Sequence, residues 1–171
     1  MTSAVLLLLP STSPTLTNSH QQLWIDHPAF PVSGHKFTGY YFTYPSEEKH
    51  MGLVSTIAED PPMLNWIYVH KETSLVRHSG RQETIGHTIG PWFWSKDERW
   101  LTLQGGSGDF VAIQDEETGN WCVAWDGDGR IRDGVADDDD SEDEGVDWAP
   151  VLLHRKMQFG MDSSYVKGAN G

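Results

Sequence analysis

The amino-acid sequence predicts an all-β protein, and three observations carry that prediction. Apolar and aromatic residues alternate with a period of two in short runs, polar turn-forming stretches of about three to six residues separate those runs, and no amphipathic helical pattern can be traced. The pattern is strongest from Leu64 to Leu103. There Leu64, Trp66, Tyr68 and His70 share one face of an extended run, and Asn65, Ile67 and Val69 share the other. The aromatic and β-branched residues from Trp66 to Val69 suit a pleated sheet far better than a helix. The polar stretch HKETS follows, and Leu75 to His78 resumes the extended pattern, which makes a hairpin. A second hairpin joins Trp92–Trp94 to Trp100–Leu103 across SKDER.

Taken in order, residues 1–22 mix Ser, Thr and Pro after a short apolar run and read as a flexible tail, with order beginning near Leu23. Pro28 and Pro31 cannot donate ladder hydrogen bonds, so their segment crosses the surface or closes one end of the fold. Tyr40, Phe42 and Tyr44 give one strand an aromatic face; Leu53, Ser55 and Ile57 mark the next, which Pro61 and Pro62 end. Beyond GGSGD, Phe110–Gln114 and Trp121–Trp125 flank the turn DEETGN, and Val151–Met157 supplies a last strand. Residues 134–148 form an acidic loop and 159–171 a C-terminal tail. The sum is an antiparallel meander of about seven to nine strands in a single domain over 23–158. A small, lipocalin-like barrel is preferred to a two-sheet sandwich, because closure removes exposed edges and about eight strands can enclose one small ligand.

Composition narrows the function classes. Eight Trp, six Phe and five Tyr supply ample apolar bulk for one core in 171 residues. The formal charge of −13, with only 12 Lys and Arg in the whole chain, argues against nucleic acid and against an anionic membrane surface. Eight of the acids lie between Asp137 and Asp147, so the rest of the chain is only mildly acidic. No run approaches the ~20 apolar residues of a membrane span. Ala4–Leu9 is shorter than the ~7 to 15 residues of a secretory signal core, with no preceding base. The single cysteine, Cys122, excludes an intramolecular disulfide and points to a reducing, cytoplasmic setting, where it acts as a small apolar residue.

The stretches LNWIYVHKETSLVRHSGR, IGPWFW and DFVAIQDEETGNWCVAWDGDG resemble a family of small proteins of filamentous ascomycete fungi. The resemblance spans roughly Gly52 to Gly129, with a weaker match in the final strand. It implies a single all-β domain of fungal, intracellular origin and assigns no activity. His70 stands where that family has an acid, and Asp126-Gly127-Asp128-Gly129 replaces a longer acidic run.

The candidate sites follow from residue chemistry. The turn after Asp126 looks like a calcium loop, yet Arg130 and Asp137 occupy positions where an EF-hand needs an oxygen ligand and a Glu, so an ordinary acidic turn is the better reading and no metal is assigned. His70, His78 and His87 titrate near neutrality but lack ligand spacing; His70 or His78 with Asp126 is the proton-transfer candidate for an enzyme. Trp66, Tyr68, Trp92, Trp94 and Trp125 are the ligand-binding candidates. A packed core is the plain reading of this set, but indole N–H and phenol O–H groups need partners when buried, which suits a lined cavity, and an exposed strip for carbohydrate stacking is the third reading. Three readings result: a barrel holding an apolar or aromatic small molecule, a small-molecule enzyme on the same scaffold, and a protein-interaction module with an acidic arm. None requires a cofactor.

Overall fold

Short alternating runs punctuated by turns become fourteen short strands, one 3-10 turn and one helical turn among the described residues of the computed structural model, which are 4–7 (backbone alone), 14–134 and 146–156. Strands β5 (Gly39–Thr43), β6 (Met51–Glu59), β7 (Pro62–Val69) and β8 (Val76–Ser79) form the sequential antiparallel meander that the pattern predicts. Pro62 opens β7, a position that needs no ladder N–H. The hairpins β9–β10 (Trp92–Trp94, Leu101–Leu103) and β11–β12 (Phe110–Gln114, Trp121–Trp125) also fall where alternation places them.

Most of the other pairings are long-range. β3 (Gln22–Asp26) lies between β8 and β12, and β11 lies between β12 and β13 (Trp148–Pro150), a strand that the sequence reading folded into the acidic loop. Among the described residues the path of hydrogen-bonded neighbours runs from β13 to β5 and does not close, so the all-β class holds but the closed barrel is not seen. Closure would require β13 to pair with β5. β13 instead ends the ladder as an edge, consistent with Pro150, which has no N–H to donate.

The N-terminal stretch departs from expectation. Residues 1–22 were expected to be a flexible tail, yet they contribute β1 (Ala4–Leu7), which pairs with β14 (Leu153–Lys156), and β2 (Thr15–Ser19), which pairs with β3 and with β4 (His35–Lys36). Leu16 is buried in the core, and the buried Asn18 donates to Ser55 Oγ (2.8 Å) and to the Thr56 carbonyl (3.0 Å). A polar composition misleads here because the buried Asn18 amide finds acceptors on β6. The acidic run from 135 to 145 and the C-terminal tail at 159–171 lie outside the described residues.

The core gathers Leu16, Ile25, Leu53, Ile67, Trp92 and Phe110 with their aliphatic neighbours, and Trp92 stacks on Phe110 with ring centres 6.1 Å apart. The parity of β7 is opposite to that expected. Ile67 and Val69 enter the core, whereas Trp66 and Tyr68 face the other side. That outer face is itself covered: Trp66 meets Tyr44 edge-on at 5.0 Å and Tyr68 stacks on His87 at 5.1 Å. Ile67 and Val69 thus join the core layer with Trp92, while the rings of Trp66 and Tyr68 lie in the layer against Tyr44 and His87. Gly52, opposite on β6, makes room for the indole, since a Cβ there would come within 2.6 Å of Trp66 Cζ3.

Candidate functional site

The outer layer on β7 is bounded by two irregular segments, the 44–50 turn after β5 and the 80–91 connection after β8. Between them opens a cleft of about 510 Å³. Its floor is a hydrogen-bonded frame. Thr84 Oγ1 donates to the Arg81 carbonyl (2.7 Å), and with that proton committed, the buried Tyr44 hydroxyl is the donor in its 2.6 Å contact with Thr84 Oγ1. Arg81 Nη2 donates to the Pro45 carbonyl at 2.6 Å and ties the two walls together. Gly90 completes the far wall with φ at +153° and its Cα against the Met51 carbonyl, where a Cβ would sit only 2.6 Å from the oxygen.

Arg81 in the lining retains further N–H groups, His50 and His87 contribute imidazoles and Glu48 is the one carboxylate, while the Ser46 hydroxyl is itself buried and has no protein partner. His87 accepts a hydrogen bond at Nδ1 from the Lys71 N–H (3.2 Å), so in the neutral ring the proton sits on Nε2. His70, whose ring centre is 4.4 Å from that of His87, accepts at Nδ1 from the Thr73 N–H (3.4 Å) in the same way. Burial first, and then the positive neighbours His70, Lys71 and Arg77, hold His87 below the ordinary histidine pKa, with Glu72 partly opposing them. A neutral His87 presenting Nε2–H suits hydrogen-bond donation rather than metal ligation, which needs a free lone pair at that nitrogen.

The sequence candidates do not assemble into one interior. Trp92 is fully buried, and Trp94 and Trp125 pack against the same core, while Trp66 and Tyr68 lie across the sheet. The indole N–H groups of Trp92 and Trp125 have no protein acceptor. Trp94 meets Tyr41 edge-on at 5.7 Å and carries the Arg155 guanidinium over its face at 5.2 Å. The proton-transfer candidates are likewise engaged separately. His78 is buried on β8 with Nδ1 against Asn65 Nδ2 (3.1 Å), and burial pushes its pKa down to about 4. Asp126, 1% exposed, accepts from the N–H groups of Ile131 (2.8 Å) and Arg132 (3.1 Å) and lies 3.6 Å from Arg132 Nε. Its carboxylate organises the helical turn Arg130–Asp133, and Asp128 pairs with Arg130 Nε at 2.8 Å, so both acids of the calcium-like loop are taken by the chain's own donors. Cys122 is buried, with its thiol pushed up to about 11, chiefly by desolvation.

Arg81, Thr84 and Ser46 were missed from sequence. One signal was available: the connection between β8 and β9 is long for a hairpin-built fold, and long structured loops are where binding groups concentrate.

Strands paired mostly as antiparallel hairpins, almost no helix and a polar cleft carried on loops define a small β-structured domain with a loop-borne cleft. Residues 14–158 match the family model of the fungal beta-trefoil domain, and the chain belongs to that family, in agreement with the fungal all-β resemblance read from its motifs. No curated protein and no solved structure matches the chain. No helix among the described residues is long and apolar enough to cross a membrane.

Proposed function

We propose that this chain is a non-catalytic binding module that holds a small, oxygen-rich molecule in the cleft between the 44–50 turn and the 80–91 connection. The observation that carries the reading is the cleft itself: about 510 Å³ of shaped space with a braced floor and with Arg81 and His87 in its lining. That volume is in the range of small-molecule sites, and a few fixed polar groups are what orient a ligand there. The small-molecule reading made from sequence is thus kept, but its site moves from the aromatic interior to the outer face of β7, and its ligand becomes more polar. Tyr44 and His87 at the cleft, backed by Trp66 and Tyr68, supply the aromatic wall.

Proton transfer by His70 or His78 with Asp126 has less support, since both imidazoles accept at Nδ1 and Asp126 is occupied by backbone N–H groups. The charge of −13 speaks against nucleic acid and anionic membranes as partners, and the free Cys122 supports a cytoplasmic location. A ligand-observed NMR screen of small carboxylates, sugars and nucleosides tests the reading. Hits should bind the wild type and weaken at least tenfold in Arg81→Ala. Hits that bind the variant as tightly as the wild type would contradict it.

A further inference from the structure

His87 is bound in three ways at once. Its ring stacks on Tyr68 at 5.1 Å, its Nδ1 accepts the Lys71 N–H at 3.2 Å, and its face lies 4.4 Å from His70, which is held through its own Nδ1 by the Thr73 N–H. Through the 84–88 backbone the same residue is fastened to the cleft. Its N–H donates to the Thr84 carbonyl, and Thr88 exchanges hydrogen bonds with Val69 on β7. The Lys71–His87 bond therefore joins the 70–74 turn, which is not part of the cleft lining, to the 80–91 wall, which is.

An imidazole that accepts at Nδ1 can do so only while it is neutral. On protonation both ring nitrogens carry hydrogens, and the Nδ1–H then points at the Lys71 N–H, donor against donor. We propose that His87 is a proton-operated latch: mild acid breaks its bond to the 70–74 turn and loosens the 85–90 wall of the cleft. The charges that face the ring act in the same direction. His70 lies beside it, Lys71 and Arg77 add positive potential from the turn and from β8, and Glu72 is the one acid that opposes them; the remaining contact is the ring of Tyr68. When either histidine of the pair takes up a proton, the other resists doing so and the stack becomes repulsive. In the proposed module the latch sets how well the cleft is formed, and so the ligand affinity, as pH falls through the histidine range. That consequence rests on the binding role proposed above; the latch does not.

The test is made on the ligand-free full chain. Histidine side-chain titrations and backbone amide exchange are followed by NMR from pH 8 to 4.5. His87 should titrate below the ordinary histidine midpoint. Exchange of the Lys71 amide and of the 85–90 amides, corrected for intrinsic rates, should rise at least tenfold with that same midpoint. In His70→Gln the midpoint should move upward, and in His87→Phe, which keeps a ring on Tyr68 but has no acceptor, the Lys71 amide should exchange fast at every pH. A Lys71 amide whose protection stays level through the His87 titration would overturn the latch, as would a midpoint unmoved by His70→Gln. Should His87→Phe not fold, the wild type and the His70→Gln variant, at a half-buried position on the 70–74 turn, still decide the matter. Because no ligand is used, failure here leaves the binding reading standing, and failure of the ligand screen leaves the latch standing.

Discussion

Trp66 and Trp92 show what position, rather than residue type, decides. Both are tryptophans within strongly patterned strands, but Trp92 is wholly enclosed beside Phe110 while Trp66 is half-buried against Tyr44 and over Gly52. Trp92→Ala should therefore cost about 3 to 5 kcal/mol through lost transfer energy and a residual cavity, and Trp66→Ala roughly half as much. Urea unfolding of the two variants checks the order; equal losses would mean that the face of β7 has been misplaced. His78 supplies a second residue-scale prediction. Its folded pKa of about 4 lies below the ordinary 6.5, so the folded state binds the proton less well than the unfolded chain. Stability from this source is complete above about pH 6.5 and is lost as pH falls toward 4. The full shift corresponds to about 3 kcal/mol, and roughly half of that is expected once partial screening is allowed for. Denaturant midpoints at pH 7, 5.5 and 4.5 should fall in that order, with a shallower slope in His78→Gln.

At the scale of elements, the hairpins were legible in sequence and their neighbours were not. β11 and β12 could be bounded closely because period-two alternation and the Gly119-Asn120 turn are local signals. Nothing local says that β3 inserts between β8 and β12, since ladder partners are chosen by a core that forms only when distant segments meet. β2 was lost for a related reason. Thr15, Thr17, Asn18 and Ser19 look like a solvated tail until Ser55 and the Thr56 carbonyl are placed opposite Asn18. Two outcomes follow. Deleting residues 1–20 should abolish cooperative thermal unfolding, because it removes Leu16 from the core and leaves the β3 edge unpaired. Asn18→Ala should cost about 1 to 3 kcal/mol by leaving Ser55 and the Thr56 carbonyl without that donor, as read from chemical denaturation. A truncated chain that melts as sharply as the intact one would restore the tail reading.

For the whole molecule, the two faces of the sheet differ in how they are covered. The inner face is filled by aliphatic side chains and fully buried aromatics, and the outer face of β7 carries rings with polar atoms beneath two loops that leave a cleft. Of the aromatic residues singled out from sequence, Trp92, Trp94 and Trp125 belong to the packed core and Trp66 and Tyr68 to the opposite face of β7. The sheet face that would carry the site was not legible, because alternation fixes which residues share a face but not which face turns inward when both are covered. The most direct test is an amide and indole chemical-shift map of the labelled protein titrated with a small carboxylate, sugar or nucleoside hit from the screen. The binding account predicts shifts concentrated in residues 44–50 and 81–90, with the indole N–H signals of Trp92 and Trp125 unmoved; large shifts of those two indoles with a silent cleft would place the ligand in the interior and contradict it.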